Sequence, residues 1–464
     1  MTVTESPSVA APIAAPDHTA PRARKHWIDD WRPEDEQFWA DKGAAIAKRN
    51  LIFSILSEHI GFSIWTMWSV FVLFMGPDYG FDAGQKFLLT TMPAAVGSIM
   101  RLPYTFAVAK FGGRNWSVFA ASILLVPSVL AAIFLKPGTS FGTMVAVATV
   151  AGVGGGNFSS SMSNIDRFYP QRLKGWALGL NAGGGNLGVA VVQLVGLAVY
   201  AIAGAARPRL ILAVYIPLIV IATLCASLFM DNLTHASNEK RAMRDVAKVG
   251  HTWIISFLYI GTFGSFIGLG FAFGQVLTNE FKDTFDTAVK ATYLTFLGPL
   301  LGSLIRPVGG RLADKYGGSR ISAINFALMA LGGVAVYFAA VAHSLPFYVA
   351  SFIVLFVLTG VGNGSVYKMI PAIFRAKAGL AVHAGADPVD AQRESRRLSA
   401  ALVGLAGAIG AFGGVLVNLA LRQSYLSTKS FNSAYAIFTA FYVVCLIVTW
   451  AVYIRPSKRK LDGV

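Results

Sequence analysis

The sequence predicts an all-α membrane protein with 12 transmembrane helices in two pseudo-symmetric six-helix bundles. Three observations carry that reading. Only 13% of the 464 residues are charged and 55% are hydrophobic, at a mean hydropathy of +0.58, whereas soluble chains carry about 25% charged residues. Apolar runs of about 20 residues, the length that crosses a bilayer, recur 12 times. A polar stretch at 231–250 divides them six and six.

The first 25 residues are rich in Ala and Pro, lack the apolar core of a signal peptide and read as a disordered tail. The segment "HWIDDWRPEDEQFWADKG" mixes aromatics with acids and predicts a short surface helix. Spans 1 to 6 are expected at about 51–75, 84–109, 115–135, 143–165, 174–200 and 209–230. Spans 7 to 12 follow at about 251–275, 290–312, 319–341, 346–370, 398–421 and 433–454. The expected units are a tail with an amphipathic segment (1–50), a first bundle (51–230), a linker (231–250), a second bundle (251–454) and a basic tail (455–464). The 375–397 stretch reads as a solvated, partly helical connector.

The net charge of +16 does not point to nucleic acid, because the basic residues fall in short loops between apolar runs. With both termini in the cytoplasm, the inside loops hold 17 Lys and Arg and the outside loops 8, which fixes that orientation. Cys225 and Cys445 lie in apolar runs and suggest no disulfide framework. Metal-ligand clusters and nucleophile–base arrangements are not evident, so no metal, cofactor or enzymatic activity is expected. A receptor with a soluble signalling domain would need longer polar stretches than these.

Three basic residues remain inside spans: Arg101, Arg306 and Lys368. Among the acids, Glu58 alone sits well inside a span, beside His59. An arginine at mid-bilayer costs roughly 2.5–3.5 kcal/mol on insertion scales, so such positions need a reason. Internal repetition supplies part of it. "RLPYTFAVAKFGG" aligns with "RPVGGRLADKYGG" at an offset of 205, matching Arg101 to Arg306 and Gly112–Gly113 to Gly317–Gly318. "GLNAGGGNLGVAVVQL" aligns with "GLAGAIGAFGGVLVNL" at an offset of 225, pairing Gly179, Gly185 and Gly188 with Gly404, Gly410 and Gly413. Small residues at such spacing let membrane helices approach closely and slide.

Parallel six-helix halves are the layout of major facilitator transporters, with substrate near mid-depth between them. "GGRLADKYGGSR" (309–320) resembles that superfamily's loop motif. Symmetry then sets Arg101 and Arg306 across a central cavity. No acid lies near either in its own helix, and a guanidinium fork pairs in-plane with a planar oxyanion. Two opposed forks suit a small, flat, singly charged anion.

On Arg101, Arg306, "GWALGLNAGGGNLG" (175–188), "GLAGAIGAFGG" (404–414) and "GGGNFSSSMSNI" (154–165), nearly the whole chain from "WRPEDEQFW" to the last span resembles the nitrate/nitrite porter family, bacterial NarK type, of the major facilitator superfamily. The resemblance implies that the arginines bind nitrate or nitrite and that the two glycine signatures form mobile helices 5 and 11. It further implies hydrogen bonds to the anion from Asn186 and Tyr259, and walls made by Phe62, Phe158 and Phe263. It places a monomer in the bacterial inner membrane.

Exchangers of this family carry apolar residues at the Glu58–His59 position and a neutral polar residue at Lys368. Three ionisable groups on spans 1 and 10 therefore suggest nitrate/proton symport for uptake, with Glu58 as the favoured proton carrier and Lys368 nearby. The alternatives are a Glu58–Lys368 salt bridge of structural or gating role, nitrate/nitrite antiport, and a phosphate or organic-anion antiporter. The last is disfavoured by the placement of the arginines on spans 2 and 8. His59 points about 100° away from Glu58 on a helix, so at most one of the two faces the cavity.

Overall fold

The computed structural model describes residues 25–234, 240–285, 288–456, 461 and 463–464. The expected disordered tail falls almost entirely outside them. Among the described residues, the elements are helices apart from one two-residue strand pair.

Among the described residues, nine helices are long and apolar enough to cross a membrane. They are Gly113–Phe134, Phe141–Phe168, Gln171–Ala203, Leu210–Phe229, Gly250–Glu280, Gly318–Val341, Leu345–His383, Pro388–Thr428 and Asn432–Ile454, matching expected spans 3 to 7 and 9 to 12. The other three expected spans are helical as well. Span 1 is Ala44–Thr66 continued by Trp68–Phe74, span 2 is Ala83–Phe111, and span 8 is Leu297–Tyr316. These three carry Glu58, Arg101 and Arg306 respectively, so the less apolar helices are the ones that bring charge to the interior.

The repeat read from the sequence reappears in backbone geometry. Span 2 starts at a capping box, in which Asp82 accepts from the Gln85 N–H at 2.7 Å and Gln85 accepts from the Asp82 N–H at 3.0 Å. It ends at Gly112, with φ +89° and ψ 146°. Span 8 ends at Gly317 with φ +94° and ψ 134°. Both positive-φ exits need glycine, and both turn the chain directly into the next span. Between the halves, span 2 packs along span 11 and span 5 along span 8, which are the same pair under the six-helix repeat.

Span 4 is interrupted by a 3₁₀ turn, Ala151–Gly156, whose sequence is "AGVGGG". A Cβ at Gly155 would come within 2.7 Å of the Gly97 Cα. Backbone contact of that closeness between spans 2 and 4 requires bare glycine.

One end of the bundle carries the linker. There β1 (Trp27–Ile28) pairs in parallel with β2 (Asn232–Leu233), and Arg49 and Asn50 of span 1 bind Asp231 at 2.7 and 2.9 Å. The segment expected to be one surface helix is therefore a strand followed by helix only from Glu36, which runs on into span 1. Trp31 anchors it by donating to the Arg167 carbonyl at 3.1 Å. The 375–397 stretch is the exposed, partly helical connector expected: spans 10 and 11 extend into it to His383 and from Pro388, with a short turn between. At the end of the chain, the Val464 carbonyl accepts from Ser319 at 2.6 Å, so the expected basic tail is anchored at its last residue. Cys225 and Cys445 are free thiols, as expected.

Candidate functional site

Arg101 and Arg306 are 0% and 4% exposed. Each lies against the same two rings. The Arg101 guanidinium carbon is 4.5 Å from the Phe158 centroid and 4.8 Å from that of Phe263. For Arg306 the distances are 5.9 and 6.0 Å. The two charges, one from each half, are therefore about 10 Å apart at most, with aromatic faces between them. Cation–π contact in a dry site is worth about 2 kcal/mol, which offsets part of the burial cost.

Few protein groups satisfy these forks. Arg101 donates through Nη1 to the Gly407 carbonyl of span 11 at 3.0 Å, and its Nε and Nη2 have no protein partner. Arg306 donates through Nη2 to the Tyr259 hydroxyl at 3.1 Å, and its Nη1 has none. Among the described residues neither forms an ion pair with a carboxylate. Asn186, 1% exposed, leaves both its amide nitrogen and oxygen unpartnered. Buried polar atoms are satisfied in more than nine cases of ten, so the unpartnered N–H groups of the two arginines leave donors open to a hydrogen-bond-accepting anion.

The three phenylalanines named from the sequence, Phe62, Phe158 and Phe263, all lie against the Arg101 guanidinium. Phe62 lies 5.8 Å from the Arg101 guanidinium, and Tyr259 stacks on Phe263 at 5.2 Å. The sequence reading missed two further rings: Trp65, 5.4 Å from Arg101, and Tyr367, 5.6 Å from Arg306. Trp65 sits one helical turn beyond Phe62, and that spacing was the available signal. Tyr367, beside Lys368, offered none.

Glu58 is fully buried. Its Oε2 accepts from Asn181 at 2.7 Å; Asn181 also donates to Ser161 at 2.6 Å, and Ser161 meets Ser54 at 2.9 Å. The cluster knits spans 1, 4 and 5 together, and its Asn181 and Ser161 were not singled out from sequence. Glu58 lies close enough to feel both arginine charges. His59 turns away, donating through Nδ1 to the Gly184 carbonyl at 3.1 Å.

Lys368 is a correction. It does not lie beside Glu58: its ammonium binds both oxygens of Asp314, at 2.9 and 2.7 Å, and is one-third exposed toward the linker end. The reason is register. Lys368 lies 62 positions after Arg306 but one turn nearer the linker end of its own span, where Asp314 of the 309–320 motif lies within reach.

The signature glycines divide. A Cβ at Gly185 would clash with Glu58, at Gly410 with the Tyr259 ring, and at Gly188 with the His59 carbonyl. At Gly413 it would come within 3.0 Å of the Gly264 Cα, and at Gly404 within 3.2 Å of Thr105. Gly179 differs: nothing lies within 4 Å, so it makes no close helix contact in this conformation.

The halves touch on both sides of the arginines, through different contacts. Away from the linker the halves are joined by hydrogen bonds: Gln275 to Thr90 at 3.1 Å, Gln193 to the Gly270 carbonyl at 3.3 Å, and Arg422 to the Gly84 carbonyl at 2.9 Å. Toward the linker they meet through Thr105 against Gly404 and Lys368 against Gly175.

The family model of the Major Facilitator Superfamily matches residues 54–385. A Salmonella typhimurium protein named nitrate/nitrite transporter NarU is 37% identical over 458 residues, covering 94% of this chain and 98% of that one. The chain belongs to the nitrate/nitrite porter family of the major facilitator superfamily. Another relative in this family, the Thermus thermophilus protein named probable nitrate/nitrite antiporter NarK2, is 29% identical over 94% of this chain and 99% of its own. Solved structures of the superfamily share the fold. A bacterial homologue of the lysosomal transporter Spinster superposes at a TM-score of 0.60 with 15% identity, over 88% of this chain and 96% of that one. The nucleoside transporter NupG gives 0.60 with 12% identity, over 87% and 99%.

Proposed function

We propose that this chain carries nitrate, and nitrite with it, across the cytoplasmic membrane of a bacterium by alternating access, as a monomer with both termini inside. One observation carries the reading: two buried guanidiniums from opposite halves share an aromatic slot and keep free N–H donors, with no carboxylate paired to either among the described residues. A flat monovalent oxyanion matches both the charge and the fork geometry. The names of the relatives favour the same anions. Nitrate at 100 times its Kd stabilises the native state by about 2.7 kcal/mol. Wild-type protein is expected to show the corresponding rise in thermal midpoint, and Arg101→Ala and Arg306→Ala to lose it. A full nitrate response in both variants sinks the assignment.

For coupling, the favoured reading is nitrate/proton symport, with Glu58 taking up and releasing the proton. Glu58 supports this by being a buried carboxyl tied to Asn181 of the mobile span 5 signature and within electrostatic reach of both arginines. Lys368 drops out as its partner. Nitrate/nitrite exchange is the second reading, because an unliganded pair of arginines opposes closure of the empty carrier. In proteoliposomes, symport predicts nitrate uptake that acidifies the lumen and is abolished in Glu58→Gln; uptake that needs internal nitrite and ignores the proton gradient decides for exchange.

A further inference from the structure

At the linker end, span 2 and the linker helix Lys240–Ala247 enclose a cleft of about 990 Å³. Its floor is apolar, made by Phe106, Ala107, Phe111 and Trp116. Phe111 is 46% exposed and stacks on Trp116 at 5.7 Å. Its rim is cationic: Lys110 from span 2, and Arg241, Arg244 and Lys248 from the linker. A spacing of three residues puts Arg241 and Arg244 on one helical face, and Lys248 follows in the turn after the helix. The single acid in the lining, Asp245, is occupied by Arg397 at 2.7 Å and Arg241 at 3.9 Å. Arg397 holds that carboxyl below the usual carboxylate range, so it stays charged and bound. Lys110, Arg244 and Lys248 form no ion pair among the described residues, and they stand above an aromatic floor at the level where a membrane span ends.

An apolar floor beneath a cationic rim at that depth complements an anionic amphiphile. We propose that this cleft binds an anionic phospholipid, its phosphate among Lys110, Arg244 and Lys248 and its acyl chain along Phe111. One wall belongs to the first half and the other to the linker, so an occupied cleft ties the linker to span 2. The proposal does not rest on the anion carried.

The test uses full-length protein, delipidated in detergent, with native mass spectrometry and thermal unfolding in the presence of phosphatidylglycerol, phosphatidylcholine or inorganic phosphate. Phosphatidylglycerol is expected to be retained and to raise the midpoint; phosphatidylcholine and inorganic phosphate are not. Each phosphate-facing cation contributes about fivefold to affinity, so Arg241→Gln/Arg244→Gln/Lys248→Gln, which removes two of them, should weaken phosphatidylglycerol binding about 25-fold. Lys110→Gln, on the opposite wall, should show the single-cation loss independently. Arg172→Gln/Arg375→Gln, at the same end but outside the cleft, should match wild type. Equal retention of phosphatidylcholine, a midpoint shift from inorganic phosphate alone, or wild-type affinity in the triple variant or in Lys110→Gln overturns the proposal.

Discussion

Arg101 and Arg306 carry the same charge but rest on different partners, a backbone carbonyl of span 11 and a phenol of span 7. The difference is open to measurement. Tyr259→Phe removes the acceptor from Arg306 and is expected to cost about 1 kcal/mol, seen as a weaker nitrate response. No side-chain change can delete the Gly407 carbonyl. Replacing either arginine with lysine keeps the charge and loses the planar fork, so titration calorimetry should show nitrate affinity falling roughly tenfold or more; unchanged affinity would mean that charge alone selects the anion. The arginines were legible in the sequence because a charge in an apolar run is conspicuous. Trp65 and Tyr367 were not, since an aromatic among apolar residues reads the same whether it packs on lipid, core or guanidinium. Asp314 lies 54 positions before Lys368, and only the packing of spans 8 and 10 brings the two together.

At the scale of the helix, the glycine signatures announced close approach, and the structure shows which positions use it. Gly413 meets Gly264 backbone to backbone. Gly413→Val should therefore force spans 7 and 11 apart at a cost of about 1–3 kcal/mol, lowering the thermal midpoint and the initial uptake rate together. Gly179 has open space around it. Gly179→Ala should gain up to about 1 kcal/mol of helix stability, and any loss of transport in that stable variant would show that Gly179 is needed in a conformation other than this one. Periodic glycines were readable; their contacts were not, because contact depends on which helix slides past which. The pairing of Trp27–Ile28 with Asn232–Leu233 was equally hidden, since two residues carry no periodicity.

Across the whole molecule, the count of spans and the two-fold repeat followed from hydropathy and from Arg101 and Arg306 falling in register. Spans 1, 2 and 8 fall below the others in apolar character because they carry Glu58, Arg101 and Arg306, so composition alone undercounts them. The unequal contacts between the halves on the two sides, by contrast, are tertiary facts with no linear signature. Each hydrogen bond between the halves away from the linker contributes about 0.5–1.5 kcal/mol. Gln275→Leu combined with Thr90→Val, which removes Gln275's partner, should move the population toward opening at that end by roughly two- to tenfold. Spin-label distances across spans 2 and 7 would record the shift, and an unaltered distribution would show that the bond does not hold the halves.

The linker-side closure, a lysine and a threonine resting on two glycines, has consequences for pharmacology. A door fastened by contact yields before one fastened by bonds, so the idle carrier should admit visitors from the compartment that holds the linker. A small planar blocker delivered to inside-out vesicles would then act sooner, and at lower dose, than the same compound applied to right-side-out ones.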